Sequence, residues 1–374
     1  MKKILITLIL LPFLIAGVLY ITRYKKNLDQ ITPYPFYISR DAYKAVKELD
    51  YIPILLVGDK MALRMKTFIP EIQELISKNL TKPVKIKTLA IDGENIHRTL
   101  AKIKQLKKMP LIILFMSNLD AEVESIFNSN QLSEINENIK LYNDDFLKSL
   151  MMIFPFTARF IYKPIKLTVL KENIVPDINL YPEEVFLKRK EVSFKLYESS
   201  LDELIQFTKK RNSIIIPITS PLNLKIPPKS ACYGALNQDF FGDYLKFNKM
   251  FEQNKMRDAL EIGKDLVLVA PNHSNILFRY AKALHSMNMM TNAQTFYENA
   301  YAYDCTKRFG HPVYNSILKK VSNKNRVKYF DFHQLVTDAS MRDESFTEDI
   351  YPQDVYFEKL AKAIAMDIKS ILRL

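Results

Sequence analysis

The chain has 374 residues, 48% of them apolar, which suits a large domain with an appendage and excludes a disordered chain. Its formal net charge of +13 comes from lysines scattered among Ile, Asn and Tyr rather than gathered in a stripe, which argues against a nucleic-acid surface. Only seven glycines occur, so each is expected to mark a backbone position that needs one.

The N-terminus reads as a membrane anchor over residues 1–26. After Lys2 and Lys3, the nineteen residues Ile4–Thr22 carry no charge and are closed by Arg23, Lys25 and Lys26. No small-residue cleavage site and no lipid-accepting cysteine follow. Basic residues flank both ends, so charge alone does not choose a side. By analogy with bacterial signal anchors, the bulk is expected outside the inner membrane. Residues 27–50 read as a linker and a leading helix.

An α/β body is expected over 51–243 and again over 306–374. Ile54–Val57 is an apolar strand that ends in Gly58-Asp59 and passes at once into a helix over 61–79. Val84–Ile91 reads as a strand, Asn95–Leu106 as a helix, Leu111–Phe115 as a buried strand and 121–149 as polar helix. Strands alternating with helices imply a parallel sheet covered on both faces. The Met- and Phe-rich run MMIFPFTARFIYKP is too broken by proline and charge to span a bilayer; it reads as a core segment or as one lying on the membrane surface. Residues 171–200 are Pro- and charge-rich, followed by a helix at Leu201–Lys210 and a strand at Ser213–Ile218. Tyr314–Val321 reads as a helix, Val327–Asp331 as a strand and Val355–Leu372 as a closing amphipathic helix.

Over 244–305 the period changes. Ala259 and Ala293 lie 34 residues apart, as do Pro271 and Cys305, and the intervening small and large residues follow the code of a tetratricopeptide repeat. So short a repeat array must lean on the α/β body, either as packing or as a groove for a protein partner. Cys232 and Cys305 read as ordinary buried thiols, or as a disulfide if the domain lies outside the cytoplasm.

The blocks LLVGDKMA at 55–62, TLAIDGENIHRTL at 88–100, PLIILFMSNLDAE at 110–122 and FTEDIYPQDVYFEKLAKAIA at 346–365 resemble, in this order, the SGNH (GDSL-type) hydrolases. The likeness is greatest to bacterial members in which a tetratricopeptide segment precedes the last strand, and SPLNLKIPPKS at 220–230 resembles a loop of those members. The resemblance implies a flavodoxin-like three-layer sheet and a serine nucleophile activated by a D-x-x-H pair, with a glycine N–H and an asparagine stabilising the oxyanion.

Carried over position by position, the resemblance puts Lys60 at the serine, Gly93 and Asn118 at the oxyanion donors, Glu348 at the aspartate and Tyr351 at the histidine. An ammonium with a pKa of about 10.4 is no substitute for a serine, and a phenol of pKa about 10 is a poor base. The expectation is therefore a degenerate site in which Asp59, Lys60, Arg64, Asn118 and Asn223 line a pocket for an anionic or acyl group. The rival is a working esterase or acyl transferase with Ser117 and His333 as rescuers. His97 falls on a helix, His273 and His285 in the repeat and His311 beside Pro312, and no metal spacing, phosphate loop or G-x-S-x-G elbow occurs. Neither a metal nor a cofactor is expected.

Overall fold

The computed structural model describes residues 53–78, 83–117, 132–164, 183–229, 236–304, 310–341 and 345–372. The expected anchor, the linker, Asn118, Cys232 and Cys305 lie outside the described residues. Among the described residues no helix is long and apolar enough to cross a membrane.

The elements run β1 Ile54–Gly58, α1 Lys60–Met65, α2 Ile69–Ser77, β2 Ile86–Thr88, α3 Ile96–Lys104 and β3 Ile112–Met116. There follow α4 Leu132–Asn143, α5 Asp145–Ile153, α6 Ala158–Ile161, α7 Glu183–Lys210 and β4 Ile214–Pro217. The remainder is helical: α8 Phe241–Glu252, α9 Met256–Val269, α10 Ser274–Ser286, α11 Met290–Tyr303, α12 Pro312–Lys324, α13 Phe332–Ser340 and α14 Asp354–Leu372. The chain divides into two compact units, the smaller containing 125–171 and 181–196 and the larger containing 40–124 and 197–374.

In the larger unit the four strands form a parallel sheet of order β2-β1-β3-β4. These are the first four places of the flavodoxin-like order 2-1-3-4-5. The fifth place is held by one parallel bridge, Ile218 to Phe330, so the strand expected at Val327–Asp331 is reduced to a single rung. There, Phe330 N–H bonds to Pro217 O at 2.9 Å and Thr219 N–H to Phe330 O at 3.0 Å. Every residue of β1 and β3 is buried, as expected for strands covered on both faces. Each such Ile, Leu or Val contributes about 1.5–3 kcal/mol relative to exposure.

Right-handed crossovers put α1 and α2 on the opposite face from α3, and the contacts sort in that way. On one face α2 packs with α14, and Phe68, just ahead of α2, stacks on Phe357 at 5.4 Å. On the other, α3 meets α7 through His97 and Ser200, while α7 meets α12 through Asp202 and Asn325 and through the edge-on pair Tyr197 and Tyr314 at 4.9 Å.

The helix expected at Leu201–Lys210 begins earlier, since α7 starts at Glu183 within the Pro- and charge-rich stretch. Val192, Leu196, Tyr197, Leu201, Leu204, Ile205 and Thr208 recur at helical spacing and are all buried. That stripe outweighs the charge around it.

Between β4 and the fifth place, α8–α9 and α10–α11 are helical hairpins whose ends recur at 34 residues: 256 and 290, 269 and 303, 252 and 286. Their turns recur as well, because Asn254 and Asn288 both adopt a left-handed backbone, with φ of 58° and 60°. In each turn the next residue donates to the carbonyl five back: Lys255 to Met250 at 2.9 Å and Met289 to Leu284 at 3.0 Å. This is the Schellman helix ending, and here asparagine fills the place glycine usually takes. Ala259 and Ala293 are fully buried, and Gly263 sits where a Cβ would come within 2.8 Å of both Phe247 and Tyr280. The hairpins share one continuous core with the sheet and α14.

The smaller unit has its own cluster of Tyr142, Met151, Met152 and Ala158. Asn138 ties α4 to the chain beyond α6, donating to Lys163 O at 3.0 Å and accepting from Lys163 N–H at 2.7 Å.

Candidate functional site

The C-terminal edge of a parallel sheet, where the strand order reverses, is the place at which open α/β folds bind ligands. In this sheet the reversal lies between β1 and β3. Gly58 ends β1 with φ of +137°, and a Cβ there would fall 1.8 Å from Met116 O. Glycine is therefore required by both backbone angle and space. Beyond it Asp59 N–H bonds to Met116 O at 3.1 Å and Ile91 N–H to Gly58 O at 3.0 Å, so the turn is held from both neighbouring strands.

Asp59 is fully buried and caps α1, its carboxylate accepting from Met61 N–H at 2.9 Å. Burial, and then the charge of Asp59, push the Tyr197 phenol well above its ordinary range. That phenol stays protonated. Lys60 is the first residue of α1 and half-buried; Arg64, one turn on, pairs with Asp354 at the start of α14 at 2.5 Å.

After β2, Gly93 is buried in a turn with φ of 74°, and Asn95 caps α3 by accepting from His97 and Arg98 N–H at 3.0 and 3.1 Å. Between them Glu94 is fully buried, bonded to Lys102 and accepting from Thr99 Oγ1 at 2.6 Å. Lys102 also donates to Leu89 O at 2.7 Å. Desolvation raises the Glu94 pKa, while Lys102 pulls it back down. This buried ion pair fixes the turn that carries Gly93.

The two candidate rescuers are not joined by any hydrogen bond. Ser117, at the end of β3, is fully buried and its hydroxyl donates to Glu94 O at 3.2 Å. His333, on α13, faces Glu298 of α11 and Thr337, each at 3.5 Å. Thr219 binds this corner together: its hydroxyl donates to Asp331 at 3.0 Å and accepts from His333 N–H at 2.9 Å. Asp331 pairs in turn with Lys319 at 2.6 Å. Although burial opposes it, bonds from His333 and Gln294 hold the Glu298 carboxyl below its ordinary range.

Of the remaining expected positions, Asn223 is half-buried and accepts from Lys225 N–H at 3.3 Å in a local turn. Glu348 is exposed, and Tyr351 packs its ring against the core while its carbonyl accepts from Thr347 N–H at 3.0 Å. His97 is buried between α3 and α7 with Ser200 Oγ at 2.8 Å from Nδ1, and burial lowers its pKa to about 3. An imidazole of that pKa has little strength as a base. His273 and His311 cap α10 and α12 through Nδ1, and His311 Nε2 reaches Ala302 O at 2.9 Å. Among the described residues no group of His, Cys, Asp or Glu is placed to hold a metal ion.

Sequence reasoning did not reach Glu94, Lys102, Tyr197 or Glu298. Only the first pair left a signal, an acid before the cap of α3 and a lysine two turns into it.

No family model matches the chain, and no curated protein matches it. Among solved structures, a lipase/acylhydrolase from Enterococcus faecalis is similar at 11% identity and a TM-score of 0.36, over 85% of this chain and 95% of that one. A lipase from a goat rumen metagenome is similar at 10% identity and a TM-score of 0.35, over 85% of this chain and 96% of that one.

Proposed function

We propose that this is a membrane-anchored protein of a bacterial envelope whose α/β body binds a ligand or partner without hydrolysing it. The observation that carries the reading is Lys60. It stands first after the Gly58-Asp59 turn, where the resemblance to SGNH hydrolases calls for a serine. Glu348, exposed, and Tyr351, its ring packed against the core, stand where the resemblance calls for the aspartate and the histidine, and a phenol is a poor base. Lys60, with Arg64 one turn on and shared with Asp354, supplies positive charge for an anionic or acyl-like group. Asp59 is committed to capping, and Asn118 and Asn223 are the remaining polar candidates.

The test is fluorophosphonate labelling of the purified full chain, with mass-spectrometric location of any adduct and a working serine hydrolase alongside. The expected result is no adduct and no turnover of an activated acyl ester. A single-serine adduct abolished by denaturation, together with turnover lost in Ser117→Ala or His333→Ala, overturns the reading in favour of an esterase or acyl transferase.

A second reading, a tetratricopeptide-type scaffold, is favoured by the 34-residue recurrence of helices and turns. It expects Lys60→Ala to leave the phenotype intact and charged substitutions on the hairpin surface to abolish it.

A further inference from the structure

Residues 146–164, FLKSLMMIFPFTARFIYKP, contain Lys148, Arg159 and Lys163 and no acidic residue. Asp144 and Asp145 lie just before them, Asp144 capping α5 by accepting from Leu147 N–H at 2.8 Å. The segment folds as α5, a short turn at Pro155–Thr157 and α6, and its apolar side chains divide into two sets. Met151, Met152 and Ala158 turn inward to Tyr142, with Ile161 and Tyr162 packed against them. Phe146, Phe156 and Phe160 turn outward and are 76, 62 and 84% exposed. Arg159 and Lys163 are exposed beside them, and Lys163 has a loose contact with Glu137 at 3.9 Å.

Single exposed apolar side chains are ordinary, but three phenylalanines exposed in one short segment are not. The inward set shows that the exposure is not a failure to fold, because the same helices bury Met151, Met152 and Ala158. Aromatic rings beside lysine and arginine are the composition of segments that lie in the headgroup region of an anionic bilayer.

We propose that residues 146–164 form a second, peripheral membrane contact on an anionic bilayer surface. Phe146, Phe156 and Phe160 enter the boundary between headgroups and acyl chains, and Lys148, Arg159 and Lys163 meet the lipid phosphates. Lipid is favoured over a protein partner by the basic, acid-free makeup of the segment. The same chain also carries Ile4–Thr22, nineteen chargeless residues whose sequence suits a bilayer span, which would hold the patch close to a membrane. The proposal is independent of whether Lys60 stands in a binding site.

The chain contains no tryptophan, so each of Phe156→Trp, Phe160→Trp and, as a control on α11, Tyr303→Trp introduces a single fluorophore. Each full-length variant is reconstituted into vesicles of phosphatidylcholine with or without phosphatidylglycerol, using lipids brominated on the acyl chain. The expected result is that the fluorophores at 156 and 160 lose most of their emission while the one at 303 keeps it, with the loss larger when phosphatidylglycerol is present. Adding Lys148→Gln, Arg159→Gln and Lys163→Gln to Phe160→Trp should reduce the anionic-vesicle loss to the phosphatidylcholine level. Emission at 156 and 160 that bromolipid does not quench, whether iodide reaches it or the protein covers it, overturns the proposal. Equal quenching at all three positions overturns it too, and a loss unaffected by removing the three charges overturns the role given to the basic residues.

Discussion

Gly58→Ala tests whether the turn that positions Asp59 and Lys60 depends on glycine for a physical reason. The new methyl would sit 1.8 Å from Met116 O, 2.5 Å from Met116 C and 3.2 Å from Met116 N, all backbone atoms of β3 that cannot swing aside. The φ of +137° is also open essentially to glycine alone, at a strain of about 1–3 kcal/mol for any other residue. Relieving the clash requires β1 and β3 to separate at their C-terminal ends, a displacement comparable to overpacking a core, about 1–3 kcal/mol. The sum is about 2–6 kcal/mol, a large share of a typical domain stability of about 5–15 kcal/mol. Urea unfolding of the full chain, followed by far-ultraviolet circular dichroism, measures it. Gly242→Ala is the control: nothing lies within 4 Å of its added Cβ and the residue is in α8, so the change should be neutral or stabilising by up to about 1 kcal/mol. A Gly58→Ala loss below about 1 kcal/mol would show that the turn can relax and would refute the argument.

Lys102→Met should destabilise by about 3–5 kcal/mol by leaving Glu94 buried without its cation. The Glu94 pKa would rise further, so the native state holds a proton that the unfolded chain releases as pH climbs past the ordinary glutamate value. The loss relative to wild type must therefore be greater at pH about 8 than at pH about 5; equal losses would place the pair in contact with water. His97 works in the opposite sense. Its folded pKa is about 3, so as pH falls from about 6.5 the unfolded chain gains a proton that the native state refuses, and stability drops by up to about 1.4 kcal/mol per pH unit. His97→Gln removes that component, and unfolding curves of identical slope for both proteins between pH about 6.5 and about 5 would count against a buried neutral imidazole.

Where the sequence carries a period, the fold is legible. The β1 turn shows as an apolar run broken by Gly58-Asp59, and the cap of α3 shows as Asn95 ahead of a helical pattern. The hairpins show as a 34-residue spacing of small residues, and the same offset returns at Asn254 and Asn288. Scarce glycine was a useful signal at Gly58 but hid the helix ends, because Asn212, Asn254, Asn288 and Arg326 take the left-handed positions instead. The start of α7 was illegible for a different reason. Its charge density masks the apolar period, and only its buried partners make the stripe from Val192 to Thr208 decisive. The fifth strand failed by length, since a single rung beside Ile218 satisfies the sheet edge once Thr219 and Phe330 have bonded.

The candidate site was less legible than the fold because its defining contacts join residues far apart in the chain. Asp59 acts on Tyr197, Glu298 faces His333, and Thr219 binds Asp331. None of these pairs has a spacing that a linear pattern could expose. They do share a place, since each of the last two lies where the helical hairpins and α13 close over the sheet edge beyond β4. Glu298 belongs to α11, so the hairpins contribute a charged group to that corner as well as packing against it. A ligand that entered beside His333 would have to disturb contacts of α11, and a partner that moved α11 would alter the surroundings of His333. The esterase and scaffold readings are coupled through this one contact between Glu298 and His333.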